Sequence, residues 1–213
     1  MDSLGNEDFT KARIEVVIFD IGGVLVEHDN AKLFQQLSDC CCLQKTSAHA
    51  IHELIMNSGL RTGKQSVPDI HAALVRNFGF RGNYNDFYKL WVGNFKAIPE
   101  SLEIVRQLHG CYRLFILSDT NEEHWLHVSN KYIDLDIFEH IFLSHRLGMA
   151  KPDPRLFKHV LEVIGCPPSH CVFIDDKPKN VEAARSFGLN GYFFESASDL
   201  RVEFARLKSK ERE

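Results

Sequence analysis

The chain has 213 residues, 44% of them apolar and 25% charged, with a formal net charge of −4, a profile that suits one globular domain or one domain carrying an insertion. It has no long basic block to recruit nucleic acid or an acidic membrane surface, and no apolar run long enough to span a bilayer. Residues 1–13 are polar and mixed in charge, without an apolar leader segment, so the expected location is the cytoplasm. The six cysteines do not suggest a disulfide framework: Cys40, Cys41 and Cys42 are adjacent, and Cys111, Cys166 and Cys171 are scattered. Reduced thiols are expected. His49 and His52 follow the cysteine triplet, but no CxxC pair accompanies them, so packed or solvated side chains are expected there in place of a zinc site.

In chain order, Val16-Val17-Ile18-Phe19 is an apolar, β-branched run of the kind found in strands buried on both faces. Asp20 ends the run, with Gly22 and Gly23 close behind. An ionised carboxylate at the tip of a buried strand is costly unless something pairs with it. It marks either a ligand site at the carboxyl edge of a sheet or an ordinary turn leaving the core. Residues 30–95 then read as four amphipathic helices: one opening at Asn30, one at Thr46 or Ser47, one at Ser66, and one carrying Phe87, Leu90, Trp91 and Phe95 on a single stripe. With no strand between them, they are expected to form a small bundle, Trp91 in its core and Arg61-Thr62-Gly63-Lys64 as a polar turn.

From Pro99 the pattern alternates. Helices are expected at residues 99–110, around His124 and His127, at 156–164, 178–187 and 200–207, and strands at 112–117, 139–143, 171–174 and 192–194. The His124/His127 pair reads as a surface or half-buried pair and not as a metal site. Residues 208–213 read as a charged tail that frays. Such alternation implies a parallel α/β sheet with right-handed crossovers. The chain lacks GxGxxG and GxxxxGK[ST], which disfavours dinucleotide and P-loop binding.

A parallel sheet brings its strand ends to one edge, so Asp20, Ser118, Lys151, Asp175 and Asp176 are expected to meet. Together they can serve phosphoryl transfer: one carboxylate as nucleophile, another for Mg2+, and a hydroxyl and an ammonium for the equatorial oxygens.

The order of these residues resembles the haloacid dehalogenase-like (HAD) hydrolase superfamily. Its four motifs appear as Phe19-Asp20-Ile21-Gly22-Gly23-Val24-Leu25, as Leu117-Ser118-Asp119-Thr120-Asn121, as Lys151 in Gly148-Met149-Ala150-Lys151-Pro152-Asp153-Pro154, and as Phe173-Ile174-Asp175-Asp176-Lys177-Pro178-Lys179-Asn180. The resemblance implies an α/β fold with a Rossmann-like parallel core, residues 1–29 and 96–213, and a four-helix cap inserted at residues 30–95. It implies Asp20 as nucleophile, and Mg2+ held by Asp20, the main-chain carbonyl of Gly22 and Asp176, with Asp175 and Asn180 supporting its waters. Ser118, the main chain at Asp119, and Lys151 would bind phosphate. Sugar-phosphate phosphatases of the glucose-1-phosphate type and the phosphatase domain of soluble epoxide hydrolase look most alike. The implied substrate is a small phosphorylated metabolite, a sugar phosphate such as a sugar 1-phosphate, with no nucleic acid or membrane partner.

One position departs from that pattern. Most phosphatases of the superfamily carry a second Asp two residues past the nucleophile as general acid and base, and here it is Gly22. Two alternatives therefore stand beside the phosphatase: a haloacid dehalogenase using the same nucleophile on carbon, and a non-catalytic fold that binds phosphorylated ligands. His28, expected in a solvent-facing linker, is the one nearby side chain able to replace the missing acid.

Overall fold

The computed structural model describes residues 13–43 and 46–210. At its centre lies a five-stranded parallel sheet in the order β5-β4-β1-β6-β7, made of β1 (Val16–Phe19), β4 (Arg113–Ser118), β5 (His140–Leu143), β6 (Cys171–Asp175) and β7 (Asn190–Phe193). All four residues of β1 are fully buried, because it pairs with β4 on one side and β6 on the other. Val17 and Phe19 join the core on one face, with Leu114, Ile116, Val172 and Ile174. Val16 and Ile18 join the core on the other face, with Phe115, Leu117 and Phe173. This alternation across a sheet covered on both faces is why β1 reads as an unbroken apolar run. A fully buried aliphatic or aromatic side chain contributes ~1.5–3 kcal/mol relative to exposure, which leaves β1 little tolerance for polar replacement.

The first face is covered by α5 (Pro99–Leu108), α6 (Glu122–Tyr132) and α10 (Ala197–Lys210), and the second by α8 (Pro154–Ile164) and α9 (Pro178–Ser186). A one-turn helix, α7 (Ser144–Leu147), follows β5 directly. From β1 the chain builds outward through β4 and β5, then returns to the opposite side of β1 to add β6 and β7. The loops after β4 and β6 therefore diverge at β1, opening a crevice at the strand carboxyl ends with Asp20 at its centre.

Residues between β1 and α5 form a separate layer: α1 (Asn30–Asp39), α2 (Ala48–Asn57), α3 (Val67–Phe78) and α4 (Tyr84–Val92), with a 3-10 turn at Leu60–Thr62. They have an apolar core of their own, including Leu33, Leu37, Ile51, Ile70, Leu74, Phe87 and Trp91. Ser66 and Asp69 form a reciprocal capping box that opens α3.

Several sequence expectations need correction. Asp29, not Asn30, caps α1, accepting from the Lys32 N–H at 2.9 Å. The fourth helix ends at Val92, and Phe95 opens a strand, β3 (Phe95–Ala97). That strand pairs antiparallel with β2 (Val26–His28), so the two chain crossings between the layers are laced together. The one-turn α7 had no counterpart among the expected elements. The Cys41 and Cys42 thiols donate to the Leu37 and Gly79 carbonyls, and the cysteine triplet does not converge with His49 and His52, whose near neighbour is Glu53. All six cysteines are free. No described helix is long and apolar enough to cross a membrane. The charged tail is helical through Lys210, and residues 211–213 lie outside the described part.

Candidate active site

Asp20 leaves β1 with its backbone N–H still bonded to the Ile174 carbonyl at 2.9 Å. Its Oδ1 accepts the Ile21 N–H at 2.7 Å and lies 3.1 Å from the Lys151 ammonium. The carboxylate sits at the head of a tight turn in which the Leu25 and Val26 N–H groups both donate to the Ile21 carbonyl. Burial pushes the Asp20 pKa up to about 6 against the pull of Lys151, since an anion sealed from water is costly.

Lys151 arrives from the loop between α7 and α8 and is itself buried. Its Nζ donates to Asp175 Oδ2 at 2.6 Å and to the Leu117 carbonyl at 3.0 Å, besides facing Asp20. Burial alone opposes the ammonium, but the carboxylates of Asp20, Asp175 and Asp119 outweigh it and hold the lysine charged. Asp175, at the end of β6, accepts from Lys151, from the Lys177 N–H at 2.8 Å, and from the Asn180 amide at 3.0 Å on each oxygen. Asn180 thus acts on the site through Asp175, which it pins.

Asp176 is the partly open member. Burial raises its pKa, and its Oδ1 is buried without a hydrogen-bond partner among the described residues. Asp20, Asp175 and Asp176 each offer an oxygen within 4.8 Å of the others. Three convergent carboxylates with an unsatisfied oxygen suit a hard cation such as Mg2+, which prefers all-oxygen sites. Gly23, at φ +81°, lets the loop pass close: a Cβ there would lie under 3.0 Å from the Asp176 carboxylate. Gly22 has nothing within 4 Å of an added Cβ, so this position is open for the acid it lacks.

Ser118 ends β4 and is buried. Asp119 follows, its Oδ1 accepting the Lys151 backbone N–H at 2.9 Å, and the Thr120 N–H donates to the Ser144 hydroxyl at 3.0 Å. Ser144, which the sequence did not single out, therefore anchors the loop after β4 from the first residue of α7. Asn121 caps α6, its Oδ1 accepting the His124 N–H at 3.1 Å and the Trp91 indole N–H at 3.3 Å. A core loop thereby holds an α4 side chain.

The helical layer meets the core again at its 3-10 turn. Arg61 Nη1 lies 3.7 Å from Asp119 Oδ2. Gly63, at φ +68°, passes the His145 carbonyl so closely that a Cβ would collide with it. Between the layers is a cavity of about 300 Å3 whose lining includes Gly22, Ser118, Asp119, His28, Trp91 and Arg61. His28 is not in a solvent-facing linker. It stacks on Phe95 at 4.0 Å between ring centroids and meets His124 edge-on at 4.8 Å. Burial lowers the two histidines to about 4 and about 3, so both are neutral at neutral pH. Trp91 belongs to the helical core and lines the cavity as well.

The structure thus gathers Asp20, Asp175, Lys151 and Asn180 into one bonded cluster with an Asp176 oxygen within 4.8 Å of the other two carboxylates, and places Gly22, Ser118 and Asp119 on the adjoining cavity. Sequence reasoning missed Ser144, Asn121 and His124 as site-shaping residues. Arg61 and Gly63 were visible only as part of a polar turn.

The family model for haloacid dehalogenase-like hydrolases matches residues 14–188. Among proteins of known function, the chain is 34% identical to a chloroplast flavin mononucleotide hydrolase of Arabidopsis thaliana, over 96% of this chain and 82% of that one. It is 26% identical to a D-ribitol-5-phosphate phosphatase of Bacteroides thetaiotaomicron, over 89% of this chain and 96% of the relative. Among solved structures it is similar to a HAD family enzyme of Bacteroides thetaiotaomicron crystallised with magnesium and inorganic phosphate. That likeness has a TM-score of 0.74 at 25% identity, covering 85% of this chain and 94% of that one.

Proposed function

The chain belongs to the haloacid dehalogenase-like hydrolases and is a phosphoric monoester hydrolase, and from that premise we propose that it dephosphorylates a small metabolite through a phosphoryl group carried transiently by Asp20, with Mg2+ as cofactor. The observation that carries this reading is the cluster itself: two buried carboxylates, Asp20 and Asp175, paired to the Lys151 ammonium at the sheet's carboxyl edge, with the partly open Asp176 converging on them. Asp20 and Asp176, with the Gly22 carbonyl, would hold Mg2+, and Asp175 with Asn180 would support that set. When bound, the cation supplies positive charge beside the phosphoryl oxygens.

The protein's own groups do the rest. Asp20 is the nucleophile: its carboxylate attacks phosphorus, the ester oxygen departs with the bond's electron pair, and an acyl phosphate forms. Water then attacks that phosphorus, phosphate leaves, and the Asp20 carboxylate is restored. Lys151, with its protons shared among Asp20, Asp175 and the Leu117 carbonyl, orients the nucleophile and holds a charge beside the incoming oxygens. Ser118 and the main chain at Asp119 receive the remaining oxygens. Residues 30–95 act as a cap over the residues 1–29 and 96–213 core, excluding water and bulky substrates.

The candidate substrates are sugar 1-phosphates, as the motif resemblance suggests, and the phosphates named for the two relatives, ribitol 5-phosphate and flavin mononucleotide. Flavin mononucleotide is itself a ribitol 5-phosphate bearing a flavin. A general acid is worth about 10²–10⁴-fold, and Gly22 supplies none. His28, which burial holds at about 4, carries too little proton at neutral pH to replace it. Sugar 1-phosphates, whose leaving groups are less basic, should therefore outrun their 6-phosphate isomers. Phosphate release from this panel is the test, with Mg2+, with EDTA, and with chloroacetate in place of an ester. Release abolished by EDTA, and no chloride from chloroacetate, is the expected result. Chloride release without phosphate release contradicts it. Gly22→Asp should narrow the gap between 1- and 6-phosphates, since the position has room for the side chain.

A further inference from the structure

Resting on the phosphatase reading, we infer that the cavity takes the leaving group by its apolar, planar body: the substrate is a monophosphate ester of an alcohol carrying an aromatic group, not a bare polyol phosphate. The cavity runs from Gly22, Ser118 and Asp119 under the helical layer, so whatever is esterified to the phosphate must enter it. One wall is aromatic: the half-buried His28, Phe95 and His124, backed by the fully buried Trp91. His28 stacks on Phe95 with 9° between planes, His124 stacks on Trp91 with 25°, and the two histidines meet edge to face. The facing side comes from α1 and α2 and is contributed by Leu33, Phe34, Ile55 and Met56. Met56 is 38% exposed, an apolar side chain with water on one side and the cavity on the other.

Several polar atoms of this lining are already spent on the protein, the buried His28 Nε2 being left without a hydrogen-bond partner among the described residues. Asn121 Oδ1 takes both the His124 N–H and the Trp91 indole, the His124 Nε2 lies 3.0 Å from the Trp91 carbonyl oxygen, and the Thr120 hydroxyl donates to the Asn121 carbonyl. A sugar seated here would lose water from its hydroxyls without gaining equal partners, which is unfavourable. A flat apolar group loses little, and it matches rings that favour stacked or edge-on contact. The volume, about 300 Å3, is at the small end of ligand pockets, which limits the occupant to a compact ring system. The remaining polar side chains of the lining, Asn30, His52 and Arg61 among them, can meet a polar substituent without making the wall itself polar.

Esters of primary alcohols test this with the chemical step matched: naphthylethyl phosphate against glycerol phosphate and ribitol 5-phosphate, by phosphate release with Mg2+. The expected kcat/KM is about tenfold or more higher for the aromatic ester, mostly through KM. Binding gives a readout independent of turnover, because Trp91 and Trp125 are the chain's two tryptophans and both line the cavity. Naphthylethanol should change their fluorescence saturably in wild type and in Asp20→Asn, and ribitol should not. Phe34→Ala and Met56→Ser should each weaken that binding several-fold, and circular dichroism separates this from unfolding. Polyol phosphates turned over as well as the aromatic ester, with no saturable fluorescence change, overturn the inference while leaving the phosphatase standing. Saturable aromatic binding with no phosphate released from any ester sinks the phosphatase reading and leaves the apolar ligand class supported.

Discussion

The proposed phosphate end and leaving-group end of this site are built from opposite materials. Around Asp20, every polar atom is chosen for charge: Lys151, Asp175 and Asn180 interlock at 2.6–3.0 Å in a buried network. A few residues away, His28, Phe95, Trp91 and His124 form a wall whose polar atoms face each other or are buried. The first region is costly to assemble and is useful only for one kind of chemistry. The second doubles as packing between layers and can drift in shape without losing the fold.

The largest effect should come from breaking the charged end. Asp20→Asn keeps the side-chain volume and removes the nucleophile, so turnover should fall by about 10⁴-fold or more with an unchanged circular dichroism spectrum. Lys151→Met strikes the same network through stability. With the ammonium gone, Asp20 and Asp175 face each other without their shared counter-charge, and breaking a buried pair in this way costs ~3–5 kcal/mol. Urea unfolding should show that loss, and added Mg2+ should recover part of it.

The aromatic wall answers to pH in its own way. Burial holds His28 at about 4 and His124 at about 3, against an ordinary 6.5. His28 faces His124 and has Asp29 beside it in sequence, and His127 lies near His124. The unfolded chain takes up protons as pH falls below about 6.5 while the folded protein does not, so stability is complete above that value and is lost as pH falls towards 4. Each histidine contributes ~2 kcal/mol between pH 7 and pH 5, and Asp20, raised to about 6, offsets part of this because it takes up its proton in the folded state; a net loss on the order of 2 kcal/mol is expected, and His28→Gln should shrink it. Gly63→Ala acts at the seam between the regions. A Cβ at φ +68° collides with the His145 carbonyl, so the 3-10 turn must move and take Arg61 away from Asp119. A cost of ~1–3 kcal/mol and a raised KM with little change in kcat are expected from titration and steady-state kinetics.

The same contrast explains what the sequence disclosed. Asp20, Ser118, Asp175 and Asp176 sit where apolar strands end, and chemistry-bearing residues at strand ends stand out against their neighbours. Lys151 lies in a loop but keeps its place in the motif order. The aromatic wall was hidden because its members follow ordinary core periodicity. Phe95 falls four residues after Trp91 and fits a helical stripe, yet the helix stops at Val92 and Phe95 pairs with His28 across two strands. Nothing local distinguishes these outcomes, since the pairing joins residues 67 positions apart. Arg61 with Asp119 and Gly63 with His145 were silent for the same reason: each needs both layers in place. Asn180 was legible as a site residue, but its bonding to Asp175 is geometric information that a motif does not carry.

The central claim is that Asp20 itself carries the phosphoryl group, and chemical trapping addresses it most directly. Acid quenching during turnover preserves an acyl phosphate, and borohydride then reduces that carbonyl to an alcohol, converting the aspartyl side chain to homoserine. Peptide mass mapping should find homoserine at position 20 in wild type treated with substrate and Mg2+, and none without substrate. Active turnover with an unreduced Asp20, or with the reduced residue at Asp176 or another carboxylate, would contradict the account.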